Sequence, residues 1–263
     1  DRRVFIGLSV MLLLSLGSLT RYSATVWQDF SSMVEASAQK APTSARAQAQ
    51  HAVILFNAQR HDEALQTIDR AIENIPGDNP LLLVNRLIML CNMGILDDGS
   101  LQPSAQVLSD AYYDIRSMNL YATLVSVVAS GRCPNASMTS LRQMFDAMGT
   151  VPTNSRPTSV QFSHIRYFSG VASANLDEPE AAIASFEQSL HADPSALNAM
   201  TMARIMATKG YYDEALHLSN LAMSSLQVGR EADRRQQPVS AGDIHAFQDI
   251  VRADIEASRG TAE

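Results

Sequence analysis

Cysteine is scarce in this sequence, and the shortage excludes two classes of fold. Only two of the 263 residues are cysteines, too few for a disulfide-built framework or for a zinc site made of two CxxC pairs. Two cysteines still suffice for one bridge. We predict either a Cys91–Cys133 disulfide, in an oxidising compartment, or a buried thiol at Cys91, which shares an apolar helix face with Leu83 and Leu87.

Aromatic residues are also few, at 6% of the chain. Ala, Leu, Met, Gln and Ser dominate instead, and these residue types favour helices over strands. The hydrophobic share of 46% against a charged share of 18% is too apolar for a disordered chain. The composition therefore predicts a folded, all-α protein.

Basic charge is sparse and does not cluster. The net charge is −7, with 20 Lys and Arg against 27 Asp and Glu, whereas binding to nucleic-acid phosphates depends on clustered Lys and Arg. The one concentration of arginine, at Arg230, Arg234 and Arg235, is interrupted by Glu231 and Asp233 and is expected to be solvated surface. We predict no nucleic-acid partner.

The sequence lacks the motifs of catalysis and of cofactor or metal binding. The 6 histidines have no HExxH spacing, and GxSxG, GxGxxG and Walker A motifs are absent. Three Asp–Glu pairs precede predicted second helices of hairpins, where their charge suits the helix dipole; they are Asp62-Glu63, Asp177-Glu178 and Asp213-Glu214. We predict no catalytic residue, metal or cofactor within this chain.

The longest uncharged run lies near the start of the chain. Residues 4–20 carry no charge and are rich in Leu and other large apolar residues, a composition that favours insertion into a bilayer. Seventeen residues are at the short end of what spans a hydrocarbon core, and Arg21 and Tyr22 would anchor the end at the interface. We predict a single transmembrane helix, with the lipid bilayer contacted through residues 4–20.

The flanks of this run predict its orientation. Arg2 and Arg3 precede it, so the positive-inside bias places the start in the cytoplasm and the remainder in the periplasm or another extracytoplasmic space. The alternative is a cleaved signal peptide. It is less favoured because the A-x-A pattern at residues 36–38 lies far from the apolar run.

Residues 163–194 have the spacing of a helical hairpin. Gly170 and Ala182 are small where two antiparallel helices would meet, Phe186 would fill the gap between them, and Pro194 ends the pair. This pattern resembles a tetratricopeptide repeat (TPR), a helix–turn–helix unit of about 34 residues that stacks on its neighbours. The resemblance implies an interaction scaffold.

A second stretch carries the same spacing, and a third shares a short run of sequence with it. Ala52, Ala64 and Pro76 occupy the offsets of the 163–194 unit, with Gln59 at the turn position that usually holds glycine. The run HDEAL at residues 61–65 reappears as YDEAL at residues 212–216. We therefore expect TPR-like pairs in both parts of the chain, and a helix over residues 22–39 that caps the first of them.

The pattern divides the chain into four predicted regions. They are a transmembrane helix (1–21), an irregular TPR-like region (22–150), regular TPR pairs (151–228), and a polar linker with a C-terminal capping helix (229–263). The boundary near residue 150 rests on the Thr-, Asn- and Pro-rich segment 150–157, which is typical of a loop or hinge. The predicted fold is all-α, with an N-terminal transmembrane helix followed by a superhelix of TPR-like hairpins.

The TPR resemblance also implies where a partner binds, because the first helix of each hairpin lines the concave face in that family. Exposed positions of these helices are the candidate partner-binding residues: Arg46, Gln50, Asn57, His164, Tyr167, Asn175 and Arg204. The basic and asparagine clamp of chaperone-binding members is missing, since Ala49 and Val53 stand at the corresponding positions. The expected occupant of the groove is a protein or peptide.

The order of parts carries a second resemblance. An apolar run, Arg21, a helix with Trp27 and then repeats (TRYSATVWQDFSSMVEASAQKAP) are similar to the end of multi-pass membrane glycosyltransferases, whose last span leads into extracytoplasmic TPRs. Asp1 stands where a complete chain has Met, so we expect further residues upstream. This resemblance implies a non-catalytic acceptor-binding or regulatory part of a transferase.

Three hypotheses for the function follow, of which the third is a soluble secreted repeat protein released by cleavage near the apolar run. The first is a membrane-anchored TPR scaffold that binds a protein or peptide on the extracytoplasmic side, within a larger membrane complex. The second is the non-catalytic end of a glycosyltransferase, whose catalytic residues lie upstream of Asp1.

Overall fold

The structure is a computed structural model that describes residues 2–27, 29–77, 79–228 and 239–260. These residues form thirteen α-helices, a 3-10 helix at Ile115–Ser117 and no strand apart from an isolated bridge between Asp97 and Asn135. The predicted all-α fold is confirmed. In chain order the helices are α1 (Arg2–Val26), α2 (Phe30–Lys40), α3 (Ala45–Asn57), α4 (His61–Asn74), α5 (Pro80–Asn92), α6 (Asp98–Asp110), α7 (Met118–Ala129), α8 (Met138–Met148), α9 (Val160–Asn175), α10 (Pro179–Ala192), α11 (Ala196–Thr208), α12 (Tyr212–Val228) and α13 (Ala241–Gly260).

The chain forms two compact units, Asp1–Met89 and Leu90–Glu263. The division falls inside α5, so that helix contributes to both. The predicted polar linker, residues 229–238, and its arginines lie outside the described residues.

Helix α1 overturns the predicted membrane location. It has 25 residues, but no helix in the described part of the chain is both long and apolar enough to cross a membrane. The uncharged stretch 4–20 rises about 26 Å at 1.5 Å per residue, against a hydrocarbon core of about 30 Å. The predicted single span in a membrane is wrong, and the periplasmic or extracytoplasmic placement that depended on it is withdrawn. The lipid bilayer is therefore no longer supported as a partner of residues 4–20.

The helix expected over residues 22–39 is interrupted. Helix α1 ends at Val26 and α2 begins at Phe30. Asp29 has extended backbone, with φ −143° and ψ 159°, and its carboxylate accepts hydrogen bonds from the Ser32 amide at 2.8 Å and hydroxyl at 2.7 Å. These bonds lower the pKa of Asp29. Asp29 is therefore an N-cap that starts a new helix.

In the first unit, α3 and α4 pack as an antiparallel hairpin around small and aliphatic side chains. Ala52, Ala64 and Ile68 are fully buried between them. The chain turns at Gln59, whose φ of 63° is in the left-handed region. This arrangement is the TPR-like hairpin that the sequence predicts.

The start of the second unit is held together by contacts between the loop after α7 and the ends of α5 and α6. Cys91 and Cys133 are paired, with Cα atoms 4.9 Å apart, a usual separation for a disulfide. Nearby, the Asp98 amide donates to the Asn135 carbonyl at 3.1 Å, and the Ser137 amide donates to the Asp98 carboxylate at 2.9 Å. The loop after α7 is thereby attached to the end of α5 and the start of α6.

The segment 150–157 contains turns and no helix, and one buried side chain fixes it in place. Asn154 is 0% exposed. It accepts a hydrogen bond from the Tyr113 amide at 3.0 Å and donates to the carbonyls of Ala111 at 3.0 Å and Met148 at 3.1 Å. The bonds to Tyr113 and Ala111 tie the segment to residues about forty positions earlier in the chain.

The rest of the second unit contains two further hairpins, α9 with α10 and α11 with α12. Their apolar side chains form one core with α13, in which Phe186, Ala203 and Ala215 are fully buried. Ile244 and Val251 bring α13 into the same core. The TPR-like pairs are present, as predicted, and α13 packs after them.

The first helices of the three hairpins begin in the same way. Ser44, Ser159 and Ser195 each precede one of these helices, and each hydroxyl accepts a hydrogen bond from the amide three residues later at 3.2–3.3 Å. Serine is among the best N-cap residues because it satisfies one of the free amides of the first turn. A repeated cap thus positions the helices that carry the candidate binding residues.

The second helices begin after a left-handed turn residue. Gln59, Asp177 and Gly210 have φ of 63°, 58° and 83°, and each stands two residues before the second helix of its hairpin. The first turns of α4 and α12 hold the predicted Asp–Glu pairs. The third pair differs, because Asp177 forms the turn and Glu178 makes an ion pair with Arg142.

Candidate functional site

The three candidate residues of the first unit lie on one exposed stripe of α3. Arg46, Gln50 and Asn57 are exposed, and Val53, which is 37% exposed, lies between them. These positions share a face because residues three or four apart are neighbours on a helix. Within the described part of the chain, the side chains of Arg46, Gln50 and Asn57 form no hydrogen bond or ion pair. Their polar groups are available to a partner.

His164, on α9, is half-buried and held by the core of its own unit. Its Nδ1 lies 3.3 Å from the Tyr113 hydroxyl, and the two rings meet edge to face at 5.8 Å. Burial lowers the pKa of His164, and the charge of Asp193 partly opposes this shift. The imidazole is therefore a neutral group at pH 7 with a fixed orientation.

Tyr167 and Asn175 lie farther along α9 and are also half-buried. The Tyr167 ring is 5.3 Å from that of Phe168 and 6.2 Å from that of Phe186, and burial raises its pKa. The Asn175 amide donates to the Val171 carbonyl of its own helix at 2.8 Å. Tyr167 is thus a rigid aromatic group with one side in the core, whereas part of the Asn175 amide is already used.

Arg204 is exposed on α11, the first helix of the next hairpin. Hydrogen bonds from Ser240 hold the pKa of Asp243 below its usual range, and the positive charge of Arg204 contributes to the same shift. Arg204 is therefore close enough to the start of α13 to act on it electrostatically. The structure sorts the seven candidates into a set of three in the first unit and a set of four in the second.

Sequence reasoning missed the residues that support His164. Tyr113 stacks on Tyr121 at 5.3 Å, and Tyr121 meets Phe145 at 5.8 Å. Burial raises the pKa of both tyrosines, and the Tyr121 hydroxyl has no hydrogen-bond partner in the described chain. No motif marks Tyr113, because it lies in an irregular loop between α6 and α7.

Sequence reasoning also missed two adjoining cavities beside α10, of about 420 and 500 Å³. They share Glu187 and His191, and Phe162 and Leu190 contribute apolar walls. The His217 ring nitrogen lies 2.7 Å from the Glu187 carboxylate. None of the seven candidate residues lines them.

The described side chains do not assemble a metal centre. No three of the described His, Cys, Asp and Glu residues converge so that they could hold an ion. The chemistry that the candidate residues offer is hydrogen bonding, one aromatic surface and positive charge, which is the chemistry of binding.

Several solved structures resemble the chain. A thermophilic TPR protein of Thermus thermophilus is 17% identical, with a TM-score of 0.40 over 80% of this chain and 100% of its own. The protein MamA is 14% identical, with a TM-score of 0.38 over 67% and 94%. YrrB, described as a TPR protein with an unusual peptide-binding site, is 15% identical, with a TM-score of 0.36 over 73% and 91%.

Similarity at this level assigns neither a family nor a ligand to the chain. No protein-family model matches it. No curated protein matches it significantly either. None of the three comparisons supports the resemblance to a glycosyltransferase.

Proposed function

We propose that this chain is an interaction scaffold that binds a protein or peptide segment along the first helices of its TPR-like hairpins. The observation that carries the proposal is the stripe of Arg46, Gln50, Val53 and Asn57 on α3. Its polar side chains form no hydrogen bond or ion pair with described residues, and Val53 adds an exposed apolar side chain. The helix that carries them is held in place by its buried face. Groups on a rigid helix lose little freedom on binding.

The spacing on α3 suits an extended peptide. Gln50 and Asn57 are seven residues apart, about 10.5 Å along the helix axis, which is about three residues of an extended chain. A carboxamide both donates and accepts hydrogen bonds, so two of them can pair with the backbone of a peptide whatever its side chains. Val53 between them would contact an apolar side chain of that peptide.

The second unit offers a further set of candidate partner-binding residues. Tyr167 and Arg204 belong to the residue types that most often dominate binding energy. Tyr167 has its orientation fixed by Phe168 and Phe186, so an incoming partner meets a pre-formed aromatic surface. Each unit can therefore bind a segment of a partner by itself.

A peptide library displayed on phage and selected on the full chain provides the test. The selected peptides are then titrated by fluorescence anisotropy against the double variant Gln50→Ala/Asn57→Ala. For peptides that bind the α3 stripe, we expect the double variant to lose at least about tenfold in affinity, because two hydrogen bonds of about 1 kcal/mol each are removed.

Gln102→Ala is the matched control, since Gln102 is an exposed amide on α6 outside both candidate sets. It should bind the same peptides with unchanged affinity. The proposal is overturned if every selected peptide binds the double variant, a Tyr167→Ala variant and the unmodified chain with equal affinity.

A further inference from the structure

A polar cleft of about 410 Å³ lies in the first unit, where α2, α3 and α4 meet. Its polar lining includes Gln48 and His51 from α3, and Thr67, Arg70 and Asn74 from α4. Neither Arg46, Gln50 nor Asn57 lines it. Because consecutive helical residues point about 100° apart, the cleft and the α3 stripe are separate surfaces of one hairpin.

The cation of this cleft has no anionic partner within the described chain. The Arg70 guanidinium donates one hydrogen bond to the Gln66 amide oxygen, at 3.3 Å, and takes part in no ion pair. Two neighbouring arginines differ, since Arg60 and Arg86 each lie 2.6 Å from a carboxylate. A guanidinium has five N–H donors, so Arg70 keeps most of its donors for a ligand.

Two carboxamides of the cleft, Gln48 and Asn74, are oriented by hydrogen bonds to backbone carbonyls. The Gln48 amide donates to the Ala38 carbonyl at 2.9 Å, and the Asn74 amide donates to the Arg70 carbonyl at 2.8 Å. Each carboxamide nitrogen has a second proton. His51 forms no hydrogen bond to any described residue. The cleft therefore offers donors from four side chains.

Acidic residues are missing from the described lining of the cleft, although the chain carries a net charge of −7. Arg70 is the one permanent cation among the lining residues, so the site balances a single negative charge. A carboxylate carries one charge and accepts two parallel N–H bonds from a guanidinium. A phosphate monoester carries about two charges at pH 7, which exceeds what the cleft neutralises.

We propose that this cleft binds a peptide carboxylate, with Arg70 as the charged anchor and His51, Gln48 and Asn74 as hydrogen-bond donors. Ala38, Pro42 and Ala71 supply the apolar part of the lining and contact the carbon atoms next to the carboxylate. The site goes beyond the proposed function, because it involves none of the residues assigned to the α3 stripe. Either surface can fail its test without the other.

The experiment is a titration of the full, ¹⁵N-labelled chain followed by NMR. N-acetylglycine represents a peptide C-terminus, and N-acetylaspartic acid α-amide represents an acidic side chain. N-acetylglycinamide is the uncharged control. We expect saturable shifts of the Arg70 Nε–H signal and of the Gln48 and Asn74 side-chain amides with at least one carboxylate probe and none with the amide. The tighter probe identifies the source of the carboxylate.

Arg70→Gln tests the anchor, and Arg21→Gln is its charge-matched control on an exposed position of α1. Arg70→Gln should weaken binding by about tenfold or more, while Arg21→Gln leaves it unchanged. The proposal is overturned by an absence of shifts at the cleft signals, by equal weakening in both variants, or by inorganic phosphate binding more tightly than both carboxylate probes. Unchanged thermal unfolding of Arg70→Gln shows that its loss of binding is not a loss of fold.

Discussion

The ring of Phe186 occupies the space that a side chain on Gly170 would need. A Cβ atom placed on Gly170 would lie 2.5 Å from two ring carbons of Phe186 and 3.1 Å from the Ala182 carbonyl oxygen. Helices α9 and α10 therefore approach as closely as they do only because residue 170 has no side chain. Phe186 is fully buried at this contact.

Gly170→Ala is expected to destabilise the second unit. The methyl group forces the Phe186 ring or the helix backbone to move, and overpacking of this kind costs roughly 1–3 kcal/mol. Urea unfolding followed by circular dichroism measures the loss. Gly7→Ala is the control, because nothing lies within 4 Å of a Cβ at that helical glycine, and alanine is the better helix former by about 1 kcal/mol.

A double-mutant cycle with Phe186→Leu assigns the effect to this pair. Leucine lacks the ring atoms that meet the new methyl group, so Gly170→Ala should cost less in the Phe186→Leu background. If Gly170→Ala costs the same in both backgrounds, or nothing in either, the close approach of the two helices is refuted.

The turn residue Gln59 is a second position where the backbone predicts the sign of a substitution. Its φ of 63° is left-handed, a conformation that costs a residue with a Cβ about 1 kcal/mol and costs glycine almost nothing. Gln59→Gly should therefore raise the stability of the first unit by up to about 1 kcal/mol. The midpoint of urea unfolding reports the change.

Two control substitutions accompany this prediction, one at another left-handed residue and one inside a helix. Gly210→Ala, at a φ of 83°, should destabilise the second unit by about 1 kcal/mol. Gln66→Gly, at an exposed position inside α4, should lower stability by about 0.5–1 kcal/mol. A loss of stability in Gln59→Gly comparable to that of Gln66→Gly would show that residue 59 is not left-handed.

The hairpins were predictable because their determinants are local. Gly170, Ala182 and Phe186 meet across one turn, so fixed offsets in the sequence are enough to predict the contact. Ser44 and the turn at Gln59 act within three or four residues of their own positions. Pattern and propensity are informative at that range.

The remaining features depend on contacts that no local pattern encodes. Asn154 bonds to residues 41 and 43 positions away, and the composition of its segment predicts only a loop. The carboxylate cleft requires the rotations of α2, α3 and α4 to be known before Gln48, His51 and Arg70 can be placed together. The predicted membrane span failed for another reason, since apolar composition over seventeen residues does not by itself supply the length of a span.

The pairing of Cys91 with Cys133 predicts a redox-dependent stability. The sequence separation is 42 residues. Closing a loop of that size lowers the entropy of the unfolded chain, which raises the free energy of unfolding by about 4 kcal/mol. We expect Cys91→Ala/Cys133→Ala, or reduction of the unmodified chain, to destabilise the second unit by about 2–4 kcal/mol.

Alkylation under denaturing conditions, followed by mass spectrometry, tests the pairing directly. The unreduced chain should take up no alkyl group and the reduced chain should take up two. Two alkylated cysteines before reduction would exclude the disulfide, and the double alanine variant would then report only the loss of two buried thiols.

His164 predicts how stability depends on pH in mildly acidic solution. Burial beside Tyr113 lowers its pKa in the folded chain, despite the opposing charge of Asp193. Below its ordinary value of about 6.5, the unfolded chain therefore binds a proton that the folded chain does not. Because stability rises with pH wherever the unfolded state binds more protons, the second unit should lose stability as the pH falls from 7 to about 5.

This pH range separates His164 from the carboxylates whose pKa is lowered. Hydrogen bonds lower the pKa values of Asp97 and Asp243, so the stability that they contribute is present above about pH 4 and is lost only below it. His164→Gln removes the titrating group and keeps a polar side chain. Its unfolding free energy should fall less between pH 7 and pH 5 than that of the unmodified chain, and an equal fall in both would show that His164 does not control the dependence.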